Sequence, residues 1–168
     1  MILGMSVGAF TILHVAITLV AIGSGLIVVG GMFASNRLPV TTALFLFTTA
    51  LTSVTGFLFP IHGLTPALGV GIVACVILAV ALFALHKEDL GGAWRWIYVI
   101  AAVASLYLNV FVLVAQSFVK VSVLNALAPT LTEPPFAITQ ASVLAIFILI
   151  TLIAVIRFLP PGRRIKYE

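Results

Sequence analysis

Apolar residues in this chain come in five long runs, separated by short stretches that hold most of its turn-forming and charged residues. The runs cover residues 7–32, 40–59, 66–85, 94–119 and 137–158. Each is about 20 residues or longer, enough at about 1.5 Å per residue to cross a hydrocarbon core of roughly 30 Å, so each predicts a transmembrane helix. The ends are marked chemically. Pro39 and Pro66 suit first helical turns, Thr65 suits a cap on the third helix, Gly91 and Gly92 break the chain before the fourth, and Pro160 and Pro161 stop the fifth. The expected fold is an all-α membrane protein, a single transmembrane domain of five helices with an external loop at residues 120–136.

Composition removes the alternatives. With 63% hydrophobic and 7% charged residues over 168 positions, the chain lacks the polar surface that a water-facing fold requires. The net charge of +4 is not a nucleic-acid signal, because Arg157, Arg163, Arg164 and Lys166 crowd the end of the last apolar run and the stretch beyond it, a membrane-surface pattern. Cys75, the single cysteine, excludes an intrachain disulfide, a thiolate metal cluster and covalent haem attachment. The first run has no basic region before it and is longer than a signal-peptide core, so a retained helix is expected.

With the N-terminus outside, Arg37, Lys87, Arg95, Arg157, Arg163, Arg164 and Lys166 fall on the cytoplasmic side and Lys120 alone outside. That asymmetry predicts the orientation and places Trp94, Trp96 and Tyr98 at the inner interface, with Arg95 reaching the headgroups. The external stretch VSVLNALAPTLTEPPF predicts an ordered hairpin or short interfacial helix, and Lys120 and Glu133 are candidates for an ion pair tying it to the fourth helix.

Polar residues in the spans align. Ser105, Asn109, Gln116 and Lys120 fall within an arc of about 60° on the fourth helix. Thr11, His14, Thr18 and Gly25 share a face of the first, and Thr41, Thr48, Thr52 and Thr55 share one of the second. Polar groups in hydrocarbon need partners, so the stripes are expected to face one another. Ala67, Gly71, Ala74 and Ala81 give the third helix a small-residue face suited to close approach. Hydroxyls that bond their own helix and amides that join helices explain much of this without any ligand. His14 is the more informative residue, since an ionisable ring roughly 10 Å deep is either neutral and bonded or part of a site.

The candidate ligand-binding set is His14, Thr18, Thr52, Thr55, Asn109, Gln116, Lys120 and Gln140, with His62 and Glu133 on the outer rim. No metal site and no catalytic residue is expected: the spans hold no Asp or Glu, and neither H-E-x-x-H nor G-x-S-x-G occurs. Haem within one chain is disfavoured because His62 lies in a turn and His86 at the opposite side, although His14 across a dimer leaves a haem-binding redox subunit as an alternative. A quinone or lipid needs only an apolar slot with a few convergent polar groups. The leading expectation is a non-enzymatic module that binds such a hydrophobic ligand, or a partner subunit, through an outward-facing cluster. An oligomeric channel or small-solute transporter is the alternative, and it needs a path through the inner half, which is dry in the first and fifth spans, as at Leu26, Ile27, Val28 and Val29 and at residues 152–156. The partners implied are the bilayer, a homo-oligomer or a larger membrane complex, and no nucleic acid.

At LTSVTGFLFPIHG, AWRWIYV, LYLNVFVLVAQSF and LAPTLTEPPF the chain resembles an uncharacterised family of small proteobacterial membrane proteins. The resemblance spans most of the chain and implies a bacterial inner-membrane setting, with no activity attached.

Overall fold

The computed structural model describes residues 1–60, 66–87 and 90–159, without the side chains of residues 66 and 67. Its helices are α1 (Val7–Phe33), α2 (Pro39–Phe57), α3 (Pro66–His86), α4 (Ala93–Lys120), α5 (Ser122–Leu127) and α6 (Pro134–Arg157). All but α5 are long and apolar enough to cross a membrane, so the chain is an all-α bundle built as a multi-pass membrane protein. His62, Thr65, Pro160, Pro161, Arg163, Arg164 and Lys166 lie outside the described residues.

Local chemistry sets the helix ends. The Ser6 hydroxyl accepts from the Ala9 amide at 3.2 Å, capping α1. At its other end, Ser35 takes a left-handed φ of 55°, its amide bonds the Met32 carbonyl at 3.1 Å, and the Asn36 amide bonds the Gly31 carbonyl at 2.8 Å. This is the Schellman arrangement, with serine at the position that glycine usually holds. Gly31 is required there, because a Cβ would stand 2.6 Å from Leu38 Cδ1 and 2.9 Å from the Asn36 carbonyl oxygen. Pro39 and Pro134 open α2 and α6, where the missing amide proton costs no helical bond. The proline start puts α6 three residues ahead of the expected Ala137. Gly92, at φ 56°, turns the chain into α4.

Successive spans run antiparallel, so the bundle has two chemically distinct ends. One carries Lys120, Glu133 and α5; the other carries Arg37, Lys87, Arg95 and Arg157. α1 and α2 pair intimately, while α3 and α6 each take α4 as their main partner and α1 also packs on α4. Small residues allow the closest crossing. A Cβ on Gly25 would lie 2.7 Å from Leu106 Cδ1 and 2.9 Å from the Phe45 ring, so α1, α2 and α4 meet at that point. Ala81 and Ala84 of α3 are fully buried, as its small-residue face predicts, and Gly71 lies under the Phe57 ring.

The core is lopsided. Val28, Val29, Met32, Phe45, Leu46, Leu78, Val99, Ala102, Val103 and Leu106 form one buried apolar cluster, and all belong to the half nearer Arg95. Tyr98 joins that cluster at 2% exposure, and therefore is not the interfacial ring that the sequence suggested. Trp96 does stay exposed, whereas Trp94 packs edge-on against Phe83 at 5.2 Å. Arg95 departs from expectation as well. Instead of reaching outward, its Nη1 donates to the carbonyls of Val155 at 2.9 Å and Phe158 at 2.6 Å, supplying donors to the C-terminal carbonyls of α6 that have no helical partner. The Leu159 amide bonds Ser35 Oγ at 2.9 Å, which fastens the same chain segment to the α1–α2 turn.

Candidate functional site

The half nearer Lys120 has few buried apolar residues and most of the interhelical polar bonds. On the antiparallel α1–α2 pair, His14 meets Thr55 and Thr18 meets Thr52, four residues further along α1 and three back along α2. His14 Nδ1 lies 2.7 Å from Thr55 Oγ1. The Thr18 hydroxyl donates to the His14 carbonyl at 2.8 Å, and Thr52 Oγ1 stands 3.4 Å from it, at the outer limit of a hydrogen bond. The His14 ring is half-buried and sits edge-on to Phe59 at 5.4 Å, with Phe10 packed on the same ring at 5.1 Å. Gly56 leaves room for the imidazole: a Cβ there would touch His14 Cε1 at 3.7 Å.

On α4, the expected stripe divides. Ser105 and Asn109 are buried, and Asn109 Nδ2 donates to Thr49 Oγ1 on α2 at 3.2 Å. Gln116 and Lys120 are exposed, and neither has a hydrogen-bond partner or ion pair among the described residues. The shared arc is a property of one straight helix; burial depends on neighbours, and towards Lys120 that face of α4 is open, while Phe118 on the opposite face stays buried against Phe136. Gln116 therefore does not join the interior network.

Gln140 belongs elsewhere. Its Nε2 donates to the Phe111 carbonyl at 3.1 Å, joining α6 to α4, and it makes no bond to the His14 group. Its Oε1 is buried without a partner among the described residues. Thr48, grouped with the second-helix stripe, bonds the carbonyls of Leu44 and Phe45 of its own helix. Ser105 shares the Asn109 face, but its hydroxyl finds no partner among the described residues.

The connection between α4 and α6 is ordered, as α5 followed by a tight turn, and Asn125 Nδ2 ties it to the Phe118 carbonyl at 3.2 Å. The Lys120–Glu133 ion pair is not formed. Glu133 instead turns back on its own loop, taking 2.8 Å from the Thr130 hydroxyl and 3.1 Å from the Thr132 amide. Desolvation of the Glu133 carboxyl pulls its pKa upward, but is outweighed by bonds from the Thr130 hydroxyl and the loop amides, which hold it below the ordinary 4.5. His86 bonds Leu82 of its own helix through Nδ1, at the end opposite His14.

Sequence reasoning missed Thr49, Phe10 and Phe59. Thr49 is turned about 100° from Thr48 around the helix, off the stripe that drew notice. The two phenylalanines carry no polar signal and gain meaning only from the ring between them. Chemically, the Lys120 end offers an ammonium and a carboxamide without protein partners among the described residues, and the same half of the bundle holds an imidazole bonded at one nitrogen. No family model, curated protein or solved structure matches the chain.

Proposed function

We propose that the protein is a non-enzymatic binding module of the bacterial inner membrane, taking the polar head of a quinone or lipid at the Lys120 end, which faces outward. The observation that carries this reading is the uneven packing of the two halves. Apolar burial is concentrated near Arg95, while His14, Gln116 and Lys120 lie at the loosely packed end with polar atoms still unmatched. Binding an amphiphile there would satisfy those groups and leave its tail in the surrounding hydrocarbon. The orientation rests on seven basic residues on one side against one on the other.

A channel or small-solute carrier would need a polar path past Val28, Phe45, Val103 and Leu106, and that region is closely packed in a single chain. A haem-bearing subunit would need a second histidine at the depth of His14, supplied by another copy.

The test is lipid-extract mass spectrometry with an absorption spectrum on the detergent-purified protein, comparing wild type with His14→Ala and Lys120→Ala. A co-purifying quinone or lipid, reduced in both variants, is the expected result. A Soret band would replace this reading with the haem alternative. Equal, non-stoichiometric bulk lipid in all three samples would remove it.

A further inference from the structure

The hydrogen bonds around Thr55 decide which ring nitrogen of His14 carries the proton. Thr55 Oγ1 lies 2.7 Å from the Leu51 carbonyl oxygen and 3.2 Å from that of Thr52, both of which can only accept. It also lies 2.7 Å from His14 Nδ1. A hydroxyl has one proton. If that proton pointed at the imidazole, Thr55 and Leu51 would hold two oxygen lone pairs face to face at bonding distance with nothing between them. With the proton on the Leu51 carbonyl, as threonine commonly places it in helices, the hydroxyl lone pair is left to accept from His14 Nδ1–H. Neutral imidazole carries a single N–H, so Nε2 is then an acceptor. Nε2 has no partner among the described residues.

Resting on the binding role proposed above, we infer that His14 is locked as its Nδ1–H tautomer by Thr55 and that Nε2 selects a head group bearing a hydroxyl donor. Lys120 and Gln116 contribute N–H donors at the same end, suited to an oxygen acceptor on that head. The ligand class is an amphiphile with both a hydroxyl and an acceptor oxygen, a chemistry shared by quinols and by glycerol-headed lipids. An oxidised quinone has only acceptors and would leave Nε2 unmatched. Thr55 is thus a positioning residue: it acts on the ligand only through the ring.

Two measurements on the full chain in detergent test this. The first is ¹⁵N NMR of histidine-labelled protein, with His14→Gln to assign the signal, in wild type, Thr55→Val and Thr55→Ser. Protonated Nδ1 in wild type, lost in Thr55→Val and kept in Thr55→Ser, is expected; protonated Nε2 in wild type overturns the inference whatever the protein binds. The second is native mass spectrometry with added decyl-benzoquinol or decyl-benzoquinone under reducing and oxidising conditions respectively, and with phosphatidylglycerol or phosphatidylmethanol, an anionic phosphodiester whose head has no hydroxyl. The hydroxyl-bearing member of at least one pair should bind about five- to tenfold more tightly, the worth of one neutral hydrogen bond, and Thr55→Val should erase that preference. The pair that discriminates identifies the source. Protonated Nδ1 with no preference in either pair overturns the selectivity, while binding of none of the four probes overturns the binding role itself and the selectivity with it.

Discussion

Arg95 Nη1 donates to the Phe158 carbonyl oxygen at 2.6 Å, so a charged side chain at the start of one long helix closes the end of another. Hydrogen bonds from charged groups contribute about 1.5–3 kcal/mol, more than neutral ones. Arg95→Met should therefore lower unfolding free energy by about 2 kcal/mol, read by SDS titration of the purified protein. Arg95→Lys should recover only part, since its shorter stem and more strongly hydrated ammonium do not match the position from which Nη1 meets both carbonyls. An Arg95→Met protein as stable as wild type would mean that this cap carries no weight.

Two glycines on one helix are expected to respond with opposite signs. Gly25→Ala drives a methyl to within 2.7 Å of Leu106 Cδ1 and against Phe45, and overpacking of this kind costs about 1–3 kcal/mol. Gly23 has nothing within 4 Å of the same added atom, so Gly23→Ala should be neutral or stabilising by up to about 1 kcal/mol through helix propensity. Thermal melts in one detergent compare them directly. Similar losses in both would show that α1 is not held at Gly25.

The Asn109–Thr49 bond lends itself to a double-mutant cycle, because both residues are buried and the bond joins α4 to α2. Polar pairs between membrane helices couple by about 0.6 kcal/mol on average, reaching about 1.7. Asn109→Leu and Thr49→Val should each destabilise, and the pair together should cost less than the sum by about 1 kcal/mol. Strict additivity would remove the bond from the list of what holds α4.

Acid should loosen the α5–α6 loop through Glu133. Its folded-state pKa lies below the ordinary 4.5, so its stabilising contribution is in place above that value and is lost as pH falls through the folded pKa. Amide protection factors at Thr130 and Thr132, taken against the intrinsic exchange rate at each pH, should fall in that window, and in Glu133→Gln they should be low throughout it. Protection that does not change with pH in wild type would dissociate the carboxylate from loop order.

How much of this was legible in the chain follows from how membrane helices are specified. A span must satisfy its own backbone in hydrocarbon, so length and apolar continuity suffice to find it, and all five were visible. The pairing of His14, Thr18, Thr52 and Thr55 was readable in outline, since polar groups there must find one another. What periodicity cannot give is the neighbour. Gln116 and Asn109 share an arc of α4, yet one is exposed and the other enclosed, because closure is decided by helices remote in sequence. Arg95 looked like an interfacial anchor, because its partners are backbone carbonyls that every residue possesses. Its role depends on the end of α6 packing beside the start of α4, a neighbour relation that neither periodicity nor helix-stop residues encode.

The place of α4 bears on how such a chain is assembled as it leaves the ribosome. The first two spans have most of their mutual contacts as soon as both are inserted, so that hairpin can form early. The third has its main partner still to come, and must wait in lipid with its alanine face uncovered until the fourth is delivered. Only then can the last span dock and Arg95 engage its end.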